Sequence, residues 1–357
     1  MNHDFWKDKN VLLTGHTGFK GSWLSLWLQR MGANLTGLAL DPPTQPSLFE
    51  TAQVAKGMTS EIGDIRDRAF VNDVFKRCQP EIVIHMAAQS LVLHSYDFPV
   101  ETYETNVMGT VHILEACRQS DSVRAAVMVT SDKCYENKEW FWGYRENERM
   151  GGHDPYSNSK GCSELVTSAY RQSYFHGSSN KTGIASVRAG NVIGGGDWAA
   201  DRLIPDFMKS ILQGKPVVIR SPKSIRPWQH VLEPLSGYLT LAEKLWHDRT
   251  GFDEGWNFGP YESDAKEVQW IVKCIAELWG KGAEWRLDDK QHPHEANYLK
   301  LDCTKARTLL GWQPRLGLST TLEWIVQWYQ HFRDDSDMRE VTLQEIARYE
   351  KLEKELE

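Results

Sequence analysis

A glycine-rich segment near the start of the chain constrains its fold more than any other feature. The apolar run NVLLT at 10–14 leads directly into TGHTGFKG at 14–21 and then into the amphipathic stretch SWLSLWLQRM. Glycines between a strand and a helix allow a tight turn, close approach of a pyrophosphate to the backbone, and packing of the helix on the strand. The free N–H groups at the helix start would hold the phosphates. We therefore predict a dinucleotide site at Gly15, Thr17, Gly18, Phe19, Lys20 and Gly21.

The remainder of residues 1–190 repeats this alternation of short apolar runs and amphipathic stretches. It predicts strands at 34–40, 57–62, 81–87, 125–131 and 184–190, with helices such as 67–77 and 154–175 between them. This order is typical of an α/β fold, a Rossmann-type doubly wound parallel sheet. Glycine and proline become denser after residue 190, which predicts a smaller mixed α/β substrate domain over 191–340, with some chain returning to the core. The charged stretch 341–357 predicts a helix that is solvated or contacts another copy.

Charge and cysteine usage exclude several classes of partner. The 48 Asp and Glu exceed the 41 Lys and Arg, so no sequence-independent binding of nucleic acid is expected. No apolar run approaches the roughly 18 to 20 residues that cross a bilayer, and the first residues lack the apolar part of a signal peptide. Six scattered cysteines without a C-x-x-C pair argue against zinc and disulfides. We expect a cytoplasmic protein without a metal or a membrane partner.

Polar residues at predicted strand ends indicate how the dinucleotide would be recognised. Asp41 ends the second strand about 20 residues after the glycines, where a carboxylate accepts from ribose hydroxyls and repels a 2′-phosphate, so NAD is favoured over NADP. Asp41 could instead be a turn residue before two prolines. Asp64, followed by Ile65, could meet the adenine or could cap the next helix. Further cofactor contacts are predicted at Ala87, Ala88, Gln89, Asn106 and Thr130.

Tyr156 and Lys160 are four residues apart on a predicted helix and therefore share one face. A tyrosine with a pKa near 10 is a poor base at neutral pH. One ammonium at about 6 Å and an effective dielectric of about 20 supplies about 2.8 kcal/mol, or roughly two pKa units, and a nicotinamide cation would supply the rest. Tyr-x-x-x-Lys is common on helix surfaces, but the glycine turn and Ser131 at a strand end favour a catalytic pair.

Five segments together resemble the extended short-chain dehydrogenase/reductases that act on nucleotide sugars: TGHTGFKG, EIVIHMAAQS, NVMGT, TSDKCY and YSNSK. The resemblance covers nearly the whole chain. Three longer segments, TSDKCYEN, RAGNVIGGGDWAADRLIPD and IRSPKSIRPWQHVLEPLSGYL, resemble the CDP-glucose branch of the nucleotide-sugar 4,6-dehydratases. The resemblance implies an NAD-dependent lyase that acts on CDP-glucose, assembles as a homodimer or homotetramer, and serves deoxysugar biosynthesis such as that of lipopolysaccharide O-antigen.

The resemblance also implies a reaction cycle. Hydride passes from sugar C4 to NAD⁺ while Tyr156 takes the hydroxyl proton and Lys160 holds the nicotinamide ribose; water then leaves from C5 and C6, and the hydride returns to C6. Most related dehydratases have Asp-Glu after the central strand, with the Asp as acid and the Glu as C5 base, whereas this chain has Asp132-Lys133. A charged lysine would favour an ionised Asp132, although an acid needs its proton.

Two interpretations of Lys133 remain open. It is a neutral base that takes the C5 proton, or it points away from the sugar and another group is the base. Successive residues of a strand face opposite sides, so Asp132 and Lys133 can both reach the sugar only if the strand has ended by Ser131.

The substrate contacts are predicted mainly in the second half of the chain. Arginines offer bidentate contacts to a diphosphate, and Trp228 would line the cleft. The predicted substrate contacts are Gln89, Ser131, Asn191, Arg202, Arg220, Arg226 and Tyr298. A 4-epimerase or a 4-reductase would need the Tyr-Lys pair without the acid at Asp132. A protein that only senses NAD would be expected to lack the pair.

Overall fold

Seven parallel strands form the central sheet among the residues that the computed structural model describes, which are 2–177, 181–219, 221–280, 283–287 and 299–354. The strands of this sheet are β1 Asn10–Thr14, β2 Asn34–Ala39, β3 Thr59–Ile62, β4 Ile82–His85, β5 Ala125–Val129, β6 Gly183–Arg188 and β11 Gly255–Asn257. Their order across the sheet is β11-β6-β5-β4-β1-β2-β3. The predicted Rossmann-type α/β class is confirmed.

Six short strands pair outside this sheet: β7 Val192–Ile193 with β10 Gln229–His230, β8 Val217–Ile219 with β13 Trp285–Leu287, and β9 Ile225–Pro227 with β12 Ala265–Glu267. The α-helices in the described residues are α1 His3–Trp6, α2 Phe19–Arg30, α3 Leu48–Thr51, α4 Arg68–Cys78, α5 Val92–Asp97, α6 Pro99–Tyr103, α7 Gly109–Arg118, α8 Pro155–Tyr170, α9 Leu203–Leu212, α10 Leu232–His247, α11 Arg249–Phe252, α12 Val268–Trp279, α13 Leu318–Arg333 and α14 Met338–Lys354. None of these helices is long and apolar enough to span a bilayer.

Helices cover both faces of the sheet. The strands β4, β5 and β6 are buried along their whole length, as expected for a parallel sheet with no solvent-facing side. One core cluster contains Trp23 and Trp27 of α2 with Leu235 of α10, and a separate cluster contains Phe75 of α4 and Ile113 of α7. Because β5, β4 and β1 are parallel neighbours, their carboxyl ends lie at the same edge of the sheet.

A buried hydrogen-bond chain joins the ends of β1 and β4 to the helix behind them. Thr14 Oγ1 accepts from the backbone N–H groups of Met86 and Ala87, so its own proton goes to Nδ1 of His85 at 2.7 Å. Nε2 of His85 therefore carries the ring proton and donates to Thr110 Oγ1 at 3.2 Å. Burial, and after it the charge of Lys160, lowers the pKa of His85 to about 3. The ring is thus a neutral structural link beside the predicted site.

Part of the second half of the chain belongs to the central layer. Strand β11 pairs with β6, and α10 packs against β5 and β6.

The last helix is also part of the core, which corrects the expectation of a solvated tail. It starts at Met338, Tyr349 is completely buried and donates to Glu233 Oε2 at 2.7 Å, and Trp27 Nε1 donates to Glu350 at 2.8 Å. The many charged residues of α14 made it look polar in sequence, although one face of the helix is apolar and packs on α2 and α13.

Candidate active site

A cavity of about 840 Å³ opens at the carboxyl edge of the sheet. Its wall is formed by the glycine turn, the ends of β2, β4 and β5, the start of α8, and segments between residues 189 and 228. The predicted residues that line it are Gly15, Thr17, Gly18, Phe19, Lys20, Gly21, Asp41, Asp64, Ile65, Ala87, Ala88, Gln89, Thr130, Ser131, Asp132, Lys133, Tyr156, Lys160, Asn191, Arg202, Arg226 and Trp228. Arg220 and Tyr298 lie outside the described residues.

The glycine turn has no room for a side chain at Gly15 or Gly21. Gly15 has φ +80°, and a Cβ there would lie 2.8 Å from Ala87 N. A Cβ at Gly21 would lie 2.0 Å from Gly15 O, so helix α2 can approach the turn only with glycine at this position. Helix α2 begins at Phe19 with Gly18 as its cap, and Thr17 Oγ1 fastens the turn to Leu40 O at 2.8 Å. The arrangement leaves a helix N-terminus facing the cavity, which fits a pyrophosphate.

The two predicted carboxylates of the dinucleotide site lie along one wall. Asp41 is exposed just beyond the end of β2. Asp64 accepts from the Arg66 backbone N–H and from Arg66 Nε, each at 2.8 Å. Burial acts to raise the pKa of Asp64, but the Arg66 hydrogen bonds lower it overall. The alternative that Asp64 caps the next helix is wrong, because Asp67 caps α4 by accepting from Ala69 and Phe70.

The chain turns sharply after β5, which ends at Val129 rather than at 131. A 3₁₀ turn covers Asp132–Cys134, and Ser131 caps it by accepting from Lys133 N at 3.2 Å. Asp132 and Lys133 are therefore not alternating strand residues, and both line the cavity. Ser131 Oγ donates to Asp132 Oδ1 at 2.9 Å. A Cβ at Gly190 would lie 1.8 Å from Asp132 Oδ2, so the glycine makes the space for this carboxylate.

Lys133 lies beside the predicted catalytic tyrosine. Its side chain is exposed to the cavity, and Nζ is 6.0 Å from the centroid of the Tyr156 ring. Of the two interpretations left open by the sequence, this position agrees with a lysine that faces the site.

Helix α8 presents Tyr156 and Lys160 to the cavity from its first two turns. Pro155 occupies the first helical position, and Asp154 caps the helix by accepting from Ser157 N at 2.9 Å. Tyr156 N donates to Ser95 Oγ at 3.1 Å, and Lys160 Nζ lies 3.4 Å from Val129 O. The tyrosine and lysine are only 8% and 6% exposed, so their charged forms are costly.

The electrostatics of this pair differ from the sequence-based expectation. Burial raises the pKa of Tyr156 to about 12; a hydrogen bond with Ser131 lowers it and the Asp132 charge raises it. Burial lowers the pKa of Lys160 to about 8, against the attraction of Glu164. The loss of hydration and the nearby carboxylate outweigh the stabilisation of a phenolate that we expected from Lys160.

A buried ion pair supports Lys160 from one helical turn away. Glu164 Oε2 is 2.7 Å from Arg188 Nη2 and accepts from Ser186 Oγ at 2.6 Å. Glu164 also accepts from the Thr130 hydroxyl. Thr130 lines the cavity, as predicted for a cofactor contact, but its hydroxyl is committed to Glu164 and to Val187 O.

Two further residues that we predicted as contacts, Asn106 and Gln89, also have partners within the protein. Asn106 is buried and is not among the residues that line the cavity; its amide bonds Gln89 N, Gln89 O and Ser159 Oγ, each at 2.9 Å. Asn106 therefore supports the loop at Gln89, and its contact with the cofactor stays a prediction. The Gln89 amide nitrogen donates to Leu91 O and Thr102 Oγ1.

The cations on the second-domain side lie in the cavity wall. Arg202 Nη1 is 3.1 Å from Asp197 Oδ2, and its Nη2 donates to Ser90 Oγ at 3.3 Å, so it bridges the two sides of the opening. Arg226 lies on β9, and Asn191 has φ +50°.

Lys20, in the glycine turn, reaches inward, with Nζ 3.3 Å from the Tyr238 hydroxyl. Burial, then repulsion by Lys160 and Arg202, lowers the pKa of Lys20 to about 7.

Three partners of the predicted site residues were not predicted: Ser90 and Asp197, which line the cavity, and Tyr238, which contacts Lys20 but is not among the lining residues. Asp197 belongs to the segment GGGDW, whose glycines could have marked it as a site loop. Tyr238 lies on α10, and nothing in its local pattern separates it from other core aromatics. Its relation to Lys20 depends on contact between elements more than 200 residues apart.

Residues 12–325 match the family model described as GDP-mannose 4,6 dehydratase. The chain is 57% identical over 352 residues to the CDP-glucose 4,6-dehydratase of Salmonella typhimurium, and the match covers 98% of each protein. Similar solved structures include a UDP-glucose 4-epimerase from Thermotoga maritima (TM-score 0.78, 21% identity, 90% of this chain and 99% of that one). Another is a dTDP-glucose 4,6-dehydratase from Bacillus anthracis with NAD (TM-score 0.74, 22% identity, 93% and 99%). At these identities the solved structures establish the fold.

Proposed function

The chain belongs to the GDP-mannose 4,6-dehydratase family and is a nucleotide-sugar 4,6-dehydratase, and we propose that it converts CDP-D-glucose to CDP-4-keto-6-deoxy-D-glucose and water. One observation carries the choice of substrate: the 57% identity to a CDP-glucose 4,6-dehydratase extends over 98% of both proteins. The cavity supports the dehydratase reaction, because Tyr156, Lys160, Asp132 and Lys133 line it together with the glycine turn. Residues 1–190 would bind the cofactor, and 191–340 would supply most substrate contacts.

The cofactor is NAD, which when bound accepts a hydride from sugar C4 and later returns it to C6. The helix N-terminus at Gly18 and Phe19 would hold its pyrophosphate. Asp41 would accept from the adenosine ribose hydroxyls and repel a 2′-phosphate. Lys160 would bind the nicotinamide ribose from α8. These assignments are supported by the cavity wall, where all four residues lie.

The chain's own residues would then move the protons. Tyr156 receives the proton of the C4 hydroxyl, which allows C4 to become a ketone. The ketone acidifies the C5 proton, and we assign its removal to Lys133. Asp132 gives a proton to the C6 oxygen, which leaves as water. Arg202 and Arg226 would hold the diphosphate.

A 4-epimerase or 4-reductase of the same fold remains the rival function. Such an enzyme has no use for an acid and a base beside the tyrosine, because no water leaves. Here a buried carboxylate, positioned by Ser131 and by the space at Gly190, favours elimination.

Product masses test the substrate and the reaction together. We expect purified protein with NAD⁺ and no other reductant to convert CDP-glucose to a sugar nucleotide one water lighter. UDP-, GDP- and dTDP-glucose should react at least tenfold more slowly, a difference of about 1.4 kcal/mol in transition-state binding. An isomer of unchanged mass would indicate an epimerase. A preference for another nucleotide would contradict the proposed substrate.

We also propose that the enzyme is cytoplasmic and works as a homodimer or homotetramer. All six cysteines are free, as in a reducing compartment. Helix α8 and its neighbours leave large apolar side chains exposed, which supports pairing with a second copy; these are Val100, Met108, Leu165 and Tyr174.

A further inference from the structure

A buried aspartate in the second half of the chain holds the arginine that crosses the opening of the cavity. Asp197 is 3% exposed and lines the cavity, and its Oδ2 is 3.1 Å from Arg202 Nη1. Its other carboxylate oxygen, Oδ1, accepts from Ala199 N at 3.1 Å. A buried carboxylate needs a partner of opposite charge and hydrogen bonds to its oxygens, and Asp197 has both.

The loop that carries Asp197 is anchored to two core helices. The backbone oxygen of Asp197 accepts from the Tyr329 hydroxyl of α13 at 2.6 Å, and Trp198 packs edge-on against the Tyr329 ring, with centroids 5.1 Å apart. Two residues before Asp197, Gly195 O accepts from Trp23 Nε1 of α2 at 3.0 Å. Trp23 and Tyr329 are completely buried, so the core fixes the position of the Asp197 backbone.

Arg202 reaches from this fixed carboxylate to the opposite side of the opening. It precedes α9, its side chain is 37% exposed, and its Nη2 donates at 3.3 Å to Oγ of Ser90, which lies in the loop after β4. The bond to Ser90 is long and has a neutral acceptor, whereas a phosphate oxygen accepts a shorter, charge-assisted bond of about twice the strength. The guanidinium can therefore keep Asp197 and exchange Ser90 for a diphosphate.

We propose that Asp197 is a positioning residue for substrate binding: it holds the Arg202 guanidinium at the opening, where the diphosphate of the nucleotide sugar replaces Ser90 Oγ. The inference deepens the proposed function and rests on it, because it takes the ligand of Arg202 to be a nucleoside diphosphate. Asp197 acts through Arg202 and does not touch the substrate. Its effect is therefore expected on binding and not on the chemical steps.

The direction of the effect separates positioning from simple charge. A carboxylate in the cavity wall repels a diphosphate, so the loss of its charge would by itself strengthen binding. If Asp197 orients Arg202, the loss of its charge weakens binding instead, because the guanidinium no longer has a fixed geometry for bidentate contact with phosphate. The two explanations predict changes of opposite sign.

Asp197→Asn tests this sign, since asparagine keeps the size of the side chain and can still accept from Ala199 N. We expect the KM for CDP-glucose and the Kd of CDP to rise about tenfold, as for a weakened hydrogen bond to a charged group. The kcat at saturating NAD should stay within about twofold of the parent. Calorimetry should show an unchanged Kd for cytidine, which has no phosphate.

Asp67→Asn is the matched control. Asp67 also accepts from the backbone N–H two residues later, at 2.9 Å from Ala69 N, but it is not among the residues that line the cavity. Its variant should bind CDP with the Kd of the parent. Melting temperature and NAD binding of each variant report whether the fold is retained.

A double-mutant cycle tests whether Asp197 acts through Arg202. Arg202→Ala should weaken CDP binding by itself. Addition of Asp197→Asn to this variant should then change the Kd by no more than about twofold, because residues that act as a unit are not additive. Losses that multiply would show that Asp197 acts by another route and would contradict the inference.

Ser90→Ala tests the exchange independently of Asp197. It should tighten CDP binding about threefold, because the free enzyme no longer has a hydrogen bond to give up, and it should leave cytidine binding unchanged. The inference is overturned if Asp197→Asn binds CDP as tightly as the parent or more tightly, or if Ser90→Ala binds CDP no better than the parent. A parent enzyme that fails to dehydrate CDP-glucose would instead contradict the proposed function, so the two failures are distinguishable.

Discussion

Tyr156→Phe should slow oxidation at sugar C4 by about 10³, within the range of 10² to 10⁴ for loss of a positioned acid-base group. Phenylalanine fills the same space in the cavity wall and keeps the backbone hydrogen bond to Ser95, but it cannot receive the C4 hydroxyl proton. The reduced cofactor should therefore form slowly from CDP-glucose and from its 6-deoxy analogue. Rapid-mixing absorbance of the reduced cofactor measures this rate directly.

Tyr170→Phe is the matched control for Tyr156→Phe. Tyr170 lies on the same helix and packs on Tyr174 at the end remote from the cavity, with ring centroids 5.1 Å apart. Its variant should oxidise the sugar at the parent rate. Binding of NAD and of CDP-glucose should be unchanged in both variants. A Tyr156→Phe enzyme with the parent rate would show that another group takes the proton.

Lys133→Ala should slow elimination by about 10² to 10⁴ while C4 oxidation continues. The amine that faces the site beside Tyr156 would no longer be present to take the C5 proton. The 4-ketone and the reduced cofactor should accumulate, and exchange of the C5 hydrogen with deuterium from the solvent should stop. Quenched-flow mass spectrometry of the sugar nucleotide follows both effects.

Lys138→Ala provides the comparison for this variant, because Lys138 is a nearby lysine that contacts Trp140 and does not line the cavity. Its elimination rate should equal that of the parent. If Lys133→Ala also kept elimination within about twofold, a difference of about 0.4 kcal/mol, Lys133 would not be the base.

The sequence predicted the fold because its local signals and its tertiary structure agree. Buried strands such as Ile82–His85 and Ala125–Val129 are apolar runs with little ambiguity, and the glycine turn requires both a strand and a helix. The ends of elements were less predictable. Strand β5 ends two residues before the predicted position, because Ser131 caps a 3₁₀ turn. The position of this turn depends on hydrogen bonds that the apolar pattern of the strand does not show.

The position of each predicted site residue could be estimated, but its partners could not. Spacing placed Tyr156 and Lys160 on one face, yet the direction of the tyrosine pKa shift depends on burial and on Asp132. The buried role of Asn106 and the contact of Lys20 with Tyr238 depend on elements distant in the chain. The charged residues of α14 predicted a solvated helix, and this was wrong, because a few buried apolar residues are sufficient to pack a largely polar helix against the core.

The central claim is that one enzyme molecule removes a hydride from C4 and returns it to C6 of the same sugar. It is tested most directly by mixing CDP-glucose that carries deuterium at C4 with undeuterated CDP-glucose whose sugar carbons are all carbon-13. We predict that the deuterium appears at C6 of the carbon-12 product alone. Deuterium in the carbon-13 product, or lost to solvent, would contradict the account.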